Sequence, residues 1–250
     1  MQDRQAINRI KSRRWLSFFR RAPHPVGQNV NTPSTDQRWS VKVPLLRLEC
    51  AAHKAWGLLA APTGKALVDG AIEPGHTPGT SPSFQQAMEA LYGISYTLKF
   101  MSKLRKDDPV DYTVMALEGL CWIDASRGEF DVRQPGNWLW TVMIMQPAHI
   151  TPRMFRDALA QLREKKPSPA LDKLRLETFR EGLCVQMMHI GPYADEPATV
   201  DKLRAFAAEN GLRDRVWRGG KHHEIYLGDP RRGDPAKLKT VLRHPVEKFK

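Results

Sequence analysis

From residue 81 onward the hydrophobic and polar positions fall into readable periods. Phe84, Ala87, Met88, Leu91, Ile94 and Leu98 recur every three or four residues, which predicts a helix with one buried face. Ser81 stands as its N-cap with Pro82 at the first helical position, and the pattern runs to about Lys103. After a charged turn, Tyr112 to Asp124 and Trp138 to Gln146 are rich in β-compatible residues and read as an antiparallel pair. Thr151-Pro152 opens a second helix to about Lys165, and Lys173 to Phe179 with Leu183 to Ile190 reads as a hairpin across Arg180-Glu181-Gly182. A third helix is predicted over about 196–210, stopped by Gly211. His222 to Leu227 is a strand; Lys237 to Leu242 is a short element of undecided type.

The elements repeat in order. Val68-Asp69-Gly70, Glu73-Pro74, a helix and two strands are echoed by His189-Ile190-Gly191, Glu196-Pro197, a helix and two further segments. This predicts an α+β fold: a duplicated strand-helix-strand-strand module, two antiparallel sheets with helices on one side, and a ligand groove between the pseudo-symmetric halves. Residues 22–82 differ in kind. Eight prolines between Pro23 and Pro82 punctuate them, which suits loops and isolated strands. We expect residues 1–65 to be a basic, proline-rich, poorly ordered extension, and residues 66–250 to be the folded domain.

Charge changes this picture little. Of the net +12, half resides in residues 1–21, where seven Lys/Arg face one acid. The remainder is only mildly basic, so its charge does not call for a specific nucleic-acid partner. Residues 1–65 also lack two consecutive amphipathic helices of helix-turn-helix length. No run approaches the roughly 18 to 20 apolar residues of a membrane span. Cys50, Cys121 and Cys184 form no Cys-x-x-Cys pair, which argues against a disulfide framework or a structural zinc site and fits a reducing cytoplasm.

Nucleotide loops and nucleophile elbows are missing from the sequence. His222-His223 resembles a metal half-site, but neighbours in a strand point to opposite faces, and we expect neither a metal nor a cofactor. The telling feature is acid inside strands. Alternation groups Tyr112, Glu118 and Trp122 on one face of their strand, and His222, Glu224 and Tyr226 on one face of theirs. Glutamate is rarely buried without a partner, so each marks either a solvent-facing strand or a lined cavity. Trp138 and Trp140 share a face and read as core or as aromatic wall. Together with a carboxylate, such walls suit planar, hydrophobic and often cationic molecules. His189 and Tyr193 flank the Gly191-Pro192 turn as further polar groups, with a structural role open for His189.

The runs ALYGISYTLKFM (90–101), YTVMALEGLCW (112–122), WLWTVMIMQP (138–147), LRLETFREGLCVQMMHIGPYADEPATV (174–200) and GKHHEIYLGDPRR (220–232) resemble the stand-alone GyrI-like small-molecule-binding proteins over about residues 66–245. The likeness is greatest to the branch of cyclopropanoid cyclopropyl hydrolases. It implies a groove carboxylate at Glu224 and a detoxifying activity in which water opens an electrophilic cyclopropane. Glu224 is then the base and Glu118 a second carboxylate. Tyr112 and Tyr226 are donors, and Trp122, Trp138 and Trp140 stack on the substrate. A non-catalytic multidrug-binding or sensing protein, and a gyrase inhibitor acting by protein contact, are the competing readings.

Overall fold

The computed structural model describes residues 56–249 except 61, 62, 125, 127, 217, 218 and 230–232. Most of the expected extension, residues 1–55, lies outside the described residues. Among the described residues nine strands and three α-helices follow in the order β1 (Trp56–Ala60), β2 (Thr63–Ala71), α1 (Pro82–Lys103), β3 (Leu117–Trp122), β4 (Leu139–Met145), α2 (Pro152–Lys165), β5 (Arg175–Phe179), β6 (Gly182–Ile190), α3 (Glu196–Glu209), β7 (Leu212–Asp214), β8 (His222–Tyr226) and β9 (Lys239–Lys248). β1 falls within the stretch assigned to the extension, so the sheet begins ahead of the expected boundary at residue 66.

The helices form for the reasons their sequences give. Ser81 accepts the Phe84 N–H and Thr151 accepts the Met154 N–H, each followed by proline, which satisfies amides that the first turn leaves unbonded. α1 buries Phe84, Ala87, Leu91, Ile94 and Leu98, and α2 buries Phe155, Ala158 and Leu162. Gly211 ends α3 at a positive φ of 67°, a conformation that costs glycine little.

All strand pairs are antiparallel, in the order β1-β6-β9-β8-β3-β4-β2-β5, with β7 on β9. The neighbour order β2-β4-β3 has a counterpart in β6-β9-β8, where β7 intervenes in the chain between α3 and β8, and the two sets of strands meet where β3 pairs β8. Two expectations are corrected here. The sheet is continuous across that join instead of forming two sheets. β5 and β6 also make no hairpin: Thr63 pairs with Phe179 and Ala60 with Gly182. These pairs lie in one register, so residues 180 and 181 carry the chain onward, and the long ladder against β1 and β2 replaces the local reversal. That ladder brings the two ends of the sheet together and curls it.

The outer face of the curl carries the helices. α1 and α2 cover Ala66, Val68, Val142 and Ile144, while α3 covers Val185, Met187 and Leu242. A fully buried Leu or Ile in such a layer contributes about 1.5–3 kcal/mol over exposure. The inner face holds Leu67, Leu120 and Met143 beside a set of charged side chains. Tyr112 to Ala116 precede β3 instead of extending it, because pairing with β4 and β8 begins at Leu117.

Candidate functional site

β8 crosses the middle of the curl, and its five residues divide cleanly. His222, Glu224 and Tyr226 point to the helix side, as alternation predicts, and His223 and Ile225 point inward. Glu224 is 4% exposed. His222 Nε2 lies 3.1 Å from its Oε1, and the Tyr226 hydroxyl donates to the carboxylate. Burial raises the pKa of Glu224, but these bonds and the nearby histidines outweigh it and hold the group below the usual carboxylate range. Gly119 lies opposite Glu224. A Cβ there would stand 3.1 Å from the Tyr226 hydroxyl, so glycine gives this tyrosine its place over β3.

A second carboxyl group comes from the start of α3. Glu196 is 2% exposed, one of its oxygens has no hydrogen-bond partner, and the other bonds Thr240. Glu196, His222 and Glu224 each bring one ligand-type atom within 4.8 Å of the others. Burial first, and then the charge of Glu224, push the Glu196 carboxyl up to about 9, so near neutrality it is a carboxylic acid beside a carboxylate. Tyr193 sets its ring edge-on to Tyr226, centroids 6.0 Å apart, and is 38% exposed. Both phenols are pushed upward by burial and then by Glu224, so they stay neutral donors. Cys121, on the same face, is likewise held as a thiol by burial and by both glutamates.

The other predicted residues are dispersed. Glu118 faces inward, because it pairs with Ile225 while Gly119 pairs with Glu224, and cross-strand partners share a face. It is ion-paired with Lys65, and His223 Nε2 lies 2.9 Å away. Burial opposes its charge, but His223 and Lys65 bring its pKa down to about 2. Glu118 is therefore not the second carboxylate of the Glu224 site; Glu196 is. Trp122 shares the inner face, with the Lys221 ammonium 3.5 Å from its ring centroid. Trp138 and Trp140 share the helix-side face but are buried core. Trp140 lies against Gly70 and edge-on to Phe84 at 5.2 Å, and Trp138 backs His222 with Phe130. The expected aromatic wall is thus split between two faces, and Tyr226 with Tyr193 supply the aromatics at Glu224. Tyr112 packs on His149, its hydroxyl buried without a partner. His189 bonds Thr199 and the Pro192 carbonyl, the structural reading left open for it.

Residues 77–247 match the GyrI-like small molecule binding domain family, and the chain belongs to it. Among solved structures, an uncharacterized conserved protein from Listeria innocua is 38% identical with a TM-score of 0.70. The alignment covers 78% of this chain and 93% of that one. A hydrolase from the same organism is 35% identical with a TM-score of 0.65, over 78% of this chain and 92% of that one. No curated protein matches significantly. Among the described residues no helix is long and apolar enough to cross a membrane, and neither Cys121 nor Cys184 is in a disulfide.

Proposed function

We propose that this domain binds planar hydrophobic molecules at the Glu224 site, against Tyr226 and Tyr193, and adds water to electrophilic ones of the cyclopropanoid type. One observation carries the reading: two buried carboxyl groups bring oxygens within 4.8 Å of each other, and their surroundings push Glu196 up to about 9 while holding Glu224 below the usual carboxylate range. Paired groups driven to opposite protonation states supply a base and an acid from one site. The 35% identical Listeria innocua relative described as a hydrolase points the same way.

In this account the ligand lies against Tyr226 and Tyr193. Water oxygen bonds to the cyclopropane methylene as the strained C–C bond breaks, and the electron pair runs into the conjugated dienone to make a phenolate. Glu224 takes the proton that water loses. Glu196, with Tyr226 beside it, donates to the phenolate oxygen, and one water has been added overall. The ionised Glu224 beside aromatic rings also suits organic cations held without reaction, so sequestration of cationic compounds is the second reading.

Incubation with a cyclopropanoid compound, followed by mass analysis, separates the two. A product heavier by one water, formed at a rate proportional to protein, supports hydrolysis. Recovery of unchanged compound with saturable binding supports sequestration.

A further inference from the structure

Behind Glu224 runs a line of side chains that the chemistry above does not use. His222 Nδ1 lies 2.7 Å from His244 Nε2 on β9, and His244 Nδ1 lies 2.6 Å from Asp214 Oδ2 on β7. Asp214 also accepts the Val216 N–H at 2.8 Å and meets Arg204 Nε of α3 at 3.3 Å. Both histidines are fully buried, while Arg204 is partly exposed. We propose that His222, His244 and Asp214 form a proton-ordering chain that fixes which atom facing Glu224 carries hydrogen and links the Glu224 site to the partly exposed Arg204.

The ordering follows from donor and acceptor counting. Asp214 is held ionised, chiefly by its bond to His244, against the burial that opposes it. It only accepts, so His244 Nδ1 carries a hydrogen. Burial holds His244 below its usual range, hence neutral, despite Asp214. Its Nε2 is then bare and requires a hydrogen on His222 Nδ1. His222 Nε2 therefore meets Glu224 Oε1 across one shared proton, and the proposed ordering places it on His222 Nε2. When Glu224 gains a proton, His222 passes its Nδ1 hydrogen to His244, and the charge comes to rest as an imidazolium against Asp214. No oxidant or co-reactant is needed. Other titratable and charged groups around the pair are Glu196 and Arg204 of α3, Tyr226 and His223 of β8, Cys121 of β3 and Tyr193.

The proposal rests on Glu224 being the carboxylate of the site, so its test has an arm independent of turnover. Nitrogen NMR of the full chain labelled at histidine should find His244 protonated on Nδ1 alone and His222 on both nitrogens at neutral pH. In Asp214→Asn the new amide donates to His244, which should switch its hydrogen to Nε2 and leave His222 neutral.

The second arm measures ethidium binding by fluorescence between pH 6 and 8.5. Losing an opposite charge raises a carboxyl pKa by about one to three units. Asp214→Asn should therefore bind several-fold more weakly at pH 6 than at pH 8.5, while the wild type stays level. A purely structural role predicts equal weakening at every pH, and that result, or unchanged tautomers in the variant, overturns the chain. Zinc bound at one equivalent and lost in Glu196→Gln also overturns it, because the His222 lone pair would then serve a metal. Failure of ethidium to bind the wild type counts against the proposed ligand class, and the NMR arm still decides the chain.

Discussion

Glu118 and Glu224 sit one register step apart on adjacent strands, yet they occupy different chemical worlds. On the inner face Glu118 is matched by Lys65 and His223. His223 in turn bonds Glu181, which meets Arg243, whose other bonds go to Gln186. Each charge there has an opposite neighbour. On the helix side Glu224 shares its space with another carboxyl group, which stays protonated and keeps one oxygen unpartnered. A buried network with all its members satisfied rigidifies a fold, whereas an unsatisfied buried group requires another explanation, of which a site is one. The comparison teaches that a carboxylate inside a strand is not itself the functional signal; a second buried carboxyl beside it with an unpartnered oxygen is.

The largest separation should come from matched variants of the two glutamates. Glu224→Gln should lower cyclopropanoid turnover by about 10² to 10⁴, the usual cost of losing a general base, with substrate still bound. Glu118→Gln should leave turnover per folded molecule near the wild-type value. Equal loss in both would erase the distinction between the faces.

Lys65→Met should act on stability alone. Removing one partner of a buried pair costs about 3–5 kcal/mol, readable by urea unfolding. The pH sign follows from Glu118, whose folded pKa of about 2 lies below its unfolded value. Its contribution is present above the unfolded pKa, near 4.5, and is lost as pH falls toward 2, so the acid-side decline in stability should flatten in Glu118→Gln.

Trp140→Ala should also register as stability, about 3–5 kcal/mol in thermal or urea unfolding, since the ring fills space between Phe84 and Gly70. A loss of ligand affinity without loss of stability would restore Trp140 to the binding wall.

The smallest effect, and the one of opposite sign, belongs to Glu196→Gln. A carboxyl whose folded pKa is raised to about 9 destabilises the fold increasingly as pH rises above its unfolded value near 4.5. The glutamine variant should match the wild type near pH 4.5 and exceed it at pH 8 by about 1–3 kcal/mol. A variant less stable at both pH values would mean that Glu196 is ionised and paired.

Local pattern carried much of the fold. Phe84 to Leu98 defined α1, proline after Ser81 and Thr151 marked the helix starts, and alternation in His222 to Tyr226 put Glu224 beside Tyr226. It failed where the answer depends on partners distant in the chain. Glu118 and Glu224 each sit among aromatics in sequence, but only the pairing of Gly119 with Glu224 decides that they face apart. Arg180-Glu181-Gly182 looks like a turn until Phe179 finds Thr63 across a long ladder. Glu196 showed only as an acid before a proline at a helix start, a position where the helix dipole favours negative charge. Its burial against Glu224, and the approach of His244 and Asp214, arise from packing that local periodicity does not encode.

The central claim concerns protonation, and carbon NMR of glutamate side-chain carboxyls reads it most directly. With Glu118, Glu196 and Glu224 assigned through their glutamine variants, a spectrum at pH 7 should place Glu118 and Glu224 at carboxylate shifts and Glu196 at the carboxylic-acid shift, with Glu196 titrating near pH 9. Finding Glu196 and Glu224 both ionised at pH 7 would contradict the account.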